Sequence, residues 1–221
     1  MSKERCFEGW RQNMAERYKF SFTAGGLLLN ETLKVAEAYL KNGDWRQTSR
    51  EIASNRMLQK NKGTSSNRYF LEVQRRLKTL SDEEIELLAR GDLEEQRQIA
   101  FLAICRLYSF ISDFVVHVLR DDLLPMGTAL TDADYLRFVE DIAFEHPEYE
   151  KLTQITQKKV REVLFKILRE IGFFSSSSEK RVAPILLSSG VKEMIVSGKP
   201  WELAFFLYSD QEIREAVRRN G

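Results

Sequence analysis

The sequence predicts an all-α protein in which an N-terminal helix-turn-helix packs beside a C-terminal multi-helix domain. Three observations point there. Apolar residues recur at three- and four-residue steps along most of the chain, the spacing of one helix face. Only 4 prolines occur in 221 residues, none before Pro125, so long helices run without their usual breaker. Several apolar runs are headed by Ser, Thr or Asp, and two of these stand three residues ahead of a glutamate, the signature of a helix start. With 43% hydrophobic and 30% charged residues, the chain has the composition of an ordinary globular protein with a sizeable core.

The first helix is "LLLNETLKVAEAYLKNG" (27–43), with Leu29, Leu33, Ala36 and Leu40 at helical spacing and Gly43 placed to stop it. Asp44 then caps "WRQTSREIASNRML", whose Trp45, Ile52 and Ala53 are available to face a core. After the loop "QKNKG", Thr64 or Ser65 caps a third helix. Phe70, Val73, Leu77 and Leu80 form its buried seam. Ser81 with Glu84 and Asp92 with Glu95 make capping boxes, and Thr131 precedes another helical run. "SSSSEKR" (175–181) is a polar break before a last apolar segment and a basic terminal helix.

The net charge of +1 conceals a partition. Residues 44–80 carry nine basic and three acidic residues, whereas residues 81–150 carry five basic and seventeen acidic. Division at residue 80 is therefore expected, with 1–80 a helix-turn-helix DNA-binding region, separate as a folding unit, and 81–221 a helical domain. At 100° per residue, the direction opposite the third helix's seam falls at Arg68 and Arg75, flanked by Thr64, Leu71, Lys78 and Thr79, with Arg76 toward one edge. Glu72 lies four residues from both Arg68 and Arg76 and can pair with either, but one glutamate cannot neutralise the whole block. A third helix presenting arginines and short polar groups is the arrangement that enters a major groove. The candidate DNA contacts are Arg46, Arg50, Lys60, Lys62, Thr64, Ser65, Asn67, Arg68, Arg75, Arg76 and Lys78.

The stretches "YKFSFTAGGLLLNETLKVAEAYLKNGDW" and "EIASNRMLQKNKGTSSNRYFLEVQRRLKTLSDEEIELLARGD" carry a resemblance to a known family. It continues through "AICRLYSFISDFVVHVLRDDL" and "LTDADYLRFVEDIAFEHPEYEKLTQITQKKVREVLFKILREIGFF", so that roughly Tyr18 to Phe174 is covered. The chain resembles BrxA, the small component of bacteriophage exclusion (BREX) systems. The resemblance implies an all-α fold with an N-terminal helix-turn-helix, double-stranded DNA as a partner, and a role beside the methyltransferase, ATPase and phosphatase-like components of such a system.

Other classes fit poorly. "IAFLAICRLYSFISDFVVHVL" (99–119) has the length of a membrane span, but Arg106 and Asp113 would each cost about 2.5–3.5 kcal/mol inside the bilayer. A buried central helix is expected instead, with Phe101, Ile104, Phe110, Phe114 and Val118 packed and His117 a hydrogen-bonded core imidazole. The charge-interrupted N-terminus lacks a secretory signal, and Cys6 and Cys105 make no disulfide framework, so the cytoplasm is the expected compartment. Neither histidine has ligands at metal spacing, and "SGKP" is too short for a phosphate loop. "PEYEK" (147–151) lacks the second acidic motif of a nuclease, and its Pro147 is placed to start a helix. No catalysis, cofactor, metal or small-molecule substrate is expected. The alternative to a DNA-binding accessory protein is a helical interaction scaffold of the defence complex, its basic face taking RNA or an acidic partner.

Overall fold

The computed structural model describes residues 17–54, 64–174 and 180–220. Among them every regular element is helical, and no strand occurs beyond two isolated bridges, Ala129 with Arg181 and Phe174 with Val182. A 3₁₀ turn (Ser21–Ala24) precedes α1 (Leu29–Asn42), α2 (Trp45–Ser54) and α3 (Thr64–Leu77). Next come α4 (Asp82–Arg90), α5 (Leu93–Leu107) and α6 (Ser109–Met126), the last carrying a π-helical stretch over Phe114–Leu123. The order ends with α7 (Asp132–Ile142), α8 (Gln154–Ile171), α9 (Ser189–Gly198), a 3₁₀ segment (Pro200–Phe206) and α10 (Asp210–Asn220).

Helix starts follow the sequence signals. The Ser81 hydroxyl accepts the Glu84 N–H while the Glu84 carboxylate accepts the Ser81 N–H, which satisfies two donors that a helix end leaves orphaned. Asp92 with Glu95 and Thr131 with Asp134 close the same reciprocal box. The expected helix start at Pro147 does not occur: residues 147–152 form turns, and α8 begins at Gln154, capped by Thr153. Inward-facing groups hold that turn. Tyr149 bonds Tyr135 through their hydroxyls, and Glu148 accepts the Tyr18 N–H.

The apolar segment 99–119 lies at the centre, but as two helices. α5 and α6 meet at Tyr108 with a bend of 111°, and no single helix among the described residues is long and apolar enough to cross a membrane. The bend keeps both halves inside: Phe101, Ile104, Phe110 and Phe114 are fully buried and Val118 nearly so. Arg106 is held within this apolar region by Glu84 at 2.6 Å, by Glu202 at 2.7 Å and by the Thr79 carbonyl. Burial works against its charge, but the two carboxylates outweigh burial and raise its pKa. Asp113 accepts a hydrogen bond from Tyr18, whose ring stacks on His146 at 3.6 Å. His117 departs from expectation. It stands on the half-exposed edge of α6, 3.9 Å from Asp121 one turn on, instead of in the core.

One hydrophobic core runs from Tyr18 to Ala216 across residue 80. Both α4 and α5 pack on α1, and α5 also packs on α3. Within this core, burial is the first cause that raises the pKa values of Tyr18, Tyr108 and Tyr135, reinforced by Asp113, Glu72 and Tyr149 respectively. Because these pKa values are raised on folding, the stabilisation is complete below the ordinary value of 10.0 and is lost as pH climbs beyond it. In an alkaline titration, the last tyrosinate absorbance is expected to appear together with loss of helical circular dichroism. All seven tyrosines ionising near pH 10.0 with the helices intact would contradict this packing.

Candidate nucleic-acid interface

The basic block is built on α2 and α3. Gly43 ends α1 in the left-handed region (φ 63°), where a side chain would strain the backbone, and the reversal starts α2 two residues later. The Asp44 carboxylate accepts the Gln47 N–H at 2.9 Å, as the capping reading requires. Thr48 and Ile52 face inward from α2, whereas Arg46 and Arg50, one turn apart, face solvent; Ala53 is exposed, contrary to expectation. Glu51 is taken by Lys41 and Asn42 of α1, which fixes α2 against its neighbour.

On α3 the seam is as predicted: Phe70, Val73 and Leu77 are buried and Leu80 beyond them packs on the core. Asn67, Arg68, Leu71, Arg75 and Lys78 are exposed. The Lys78 ammonium sits 5.8 Å from the Trp45 ring centre, and Trp45 stacks on Tyr39, so this end of the face is braced by an aromatic pair. Among the described residues, Arg46, Arg50, Arg68 and Arg75 have no ion-pair partner. Lys60 and Lys62 lie outside the described residues, as do the side chains of Thr64 and Ser65.

Arg76 does not belong to this face. It is 1% exposed. Its Nε donates to Glu72 at 2.8 Å, and its terminal nitrogens donate to the carbonyls of Gly26 (2.8 Å), Leu27 (3.2 Å) and Gly25 (3.4 Å). Glu72, also buried, accepts the Tyr108 hydroxyl at 2.6 Å, and Ser21 approaches that hydroxyl at 2.9 Å. The peptide whose carbonyl faces Arg76 turns its N–H to Glu170 of α8 at 2.6 Å, so the Gly25–Leu27 segment is clamped between α3 and α8. This removes both the cation and the carboxylate from the surface. With Glu72 buried, Arg68 has no intrahelical neutralising partner.

Among the described residues, no cluster of three or more His, Cys, Asp or Glu side chains could hold a metal ion. A family model described as BrxA matches residues 16–198. The chain belongs to the BrxA family. BREX protein BrxA of Escherichia coli O9:H4 (strain HS) is 24% identical over 163 residues, 74% of this chain and 76% of that protein. The Bacillus cereus (strain H3081.97) BrxA is 25% identical over 74% of this chain and 82% of its own length. That of Paramagnetospirillum magneticum (strain ATCC 700264 / AMB-1) is 24% identical over 80% of this chain and 90% of its own. A crystal structure of an uncharacterized protein from Magnetospirillum magneticum superposes with a TM-score of 0.76 at 22% identity, covering 87% of this chain and 98% of that one. It shows the same fold. As a BrxA-family member, the chain is a component of BREX phage-defence systems.

Proposed function

We propose that this BrxA-family chain is a non-catalytic accessory protein of its defence system that binds double-stranded DNA in the cytoplasm, mainly through phosphate contacts from α2 and α3. In this reading the two helices act as a helix-turn-helix, with α3 entering the major groove and Arg46 and Arg50 of α2 reaching the backbone. The observation that carries it is that Arg46, Arg50, Arg68 and Arg75 are exposed and without an ion-pair partner among the described residues, while Glu72, the one acidic residue of α3, is buried. Such cations release condensed counterions when they meet phosphate. Residues 1–80 supply the contacts and 81–221 the support, a division of roles within one shared core.

Mobility-shift titration of the full chain with a mixed-sequence duplex, competed by single-stranded RNA of equal length, tests the reading. The duplex is expected to hold against the RNA and to show little sequence preference. Preferential capture by RNA would favour the scaffold alternative.

A further inference from the structure

The acidic half of the sequence carries an apolar ridge. α7 buries Tyr135, Phe138 and Val139 on its inner side. Leu136 and Glu140, four residues apart, share its outer face, and Phe144 stands in the turn just past the helix end. Leu136 is 52% exposed and Phe144 95%. Around them Glu140, Asp141 and Glu145 are exposed, and none has an ion-pair partner among the described residues. An aromatic side chain set in solvent and ringed by charge has the make-up of an interface anchor, since aromatic residues surrounded by a water-excluding rim carry most binding energy.

The matching surface is on the same chain. Leu71 is 43% exposed on α3, three residues after Arg68 and four before Arg75, so an aliphatic side chain lies between two cations that have no ion-pair partner among the described residues. Among the described residues nothing covers either surface. We propose that the α7 ridge of one copy docks on the α3 face of a second copy, Phe144 meeting Leu71 while Glu140 and Asp141, one turn back, face the neighbouring arginines Arg68 and Arg75. Charge complementarity selects this occupant: the carboxylates stand where phosphates would on a duplex, so self-association and DNA compete for the same arginines. The patches are small against the roughly 1,000 Å² that a stable interface requires, so the contact is reversible and salt-sensitive.

Sedimentation velocity on the full chain decides it, through a mixing design that needs no DNA. Wild type is expected to self-associate at low salt and to do so at least about tenfold more weakly when screening shortens the reach of exposed charges. The variants Glu140→Lys/Asp141→Lys and Arg68→Glu/Arg75→Glu are each expected to be monomeric with unchanged helical circular dichroism. Mixed together they associate again, because the reversed acidic face fits the reversed basic one. Phe144→Ser keeps every charge and loses the association. Addition of duplex DNA disperses the wild-type assembly. A wild type monomeric at low salt, an acidic-face variant that associates as wild type does, or a mixture that stays monomeric overturns the proposal. Failure of duplex DNA to bind would leave the mixing result standing, so the two readings fail separately.

Discussion

Replacing Phe114 with alanine is expected to lower the stability of the fold by about 3–5 kcal/mol. Phe114 is fully buried, with Phe138 at 5.1 Å, Tyr135 at 6.1 Å and Phe165 at 6.4 Å between ring centres. These partners come from α7 and α8, so the site sits where three helices meet and cannot collapse without moving one of them. The loss is large against a typical total of about 5–15 kcal/mol. Urea unfolding followed by circular dichroism should show a lower midpoint at unchanged slope. A change below about 1 kcal/mol would mean that this junction is loosely packed.

A comparable loss is expected from Arg76→Ala, and its neighbour provides the contrast. Removing the guanidinium leaves Glu72 buried with only Tyr108 and leaves the Gly25–Leu27 carbonyls without the donors that Arg76 supplies. Breaking a buried pair from one side costs about 3–5 kcal/mol. Arg75→Ala, one residue away and exposed, should change stability by no more than about 0.5 kcal/mol while weakening duplex binding. Equal stability losses for the two would contradict the assignment of one arginine to the core and the other to the surface.

Local features were legible in the sequence because their causes lie within one or two turns. The capping boxes at Ser81 and Asp92, the stop at Gly43 and the seam of Phe70, Val73 and Leu77 all depend on short spacings. The exposed face at Arg68 and Arg75 follows from that seam by helical geometry alone. Arg76 did not yield to the same reasoning, since the groups that bury it, Gly25–Leu27 and the Tyr108-linked Glu72, converge only in the folded chain. The pairing of Glu72 with Arg76 at four-residue spacing beside the seam was the one local hint. The bend at Tyr108 was hidden because an apolar run of that length reads as continuous, and Tyr108 breaks it to reach α3. The placement of His117 at an edge follows from how α6 leaves that bend, which periodicity does not report.

Binding of duplex phosphates by the exposed cations of α2 and α3 is read out by the salt dependence of duplex affinity. Each phosphate neutralised adds about −0.9 to the slope of log affinity against log salt, so the five exposed cations among the described residues of this face, Arg46, Arg50, Arg68, Arg75 and Lys78, predict a slope near −4 or −5. Fluorescence anisotropy with a labelled duplex over a salt series should then show Arg68→Ala/Arg75→Ala lowering the slope by about two, uniformly across duplex sequences, with circular dichroism unchanged. A wild-type slope near zero, or a double variant whose slope and affinity match wild type, would mean that these arginines do not hold duplex phosphates.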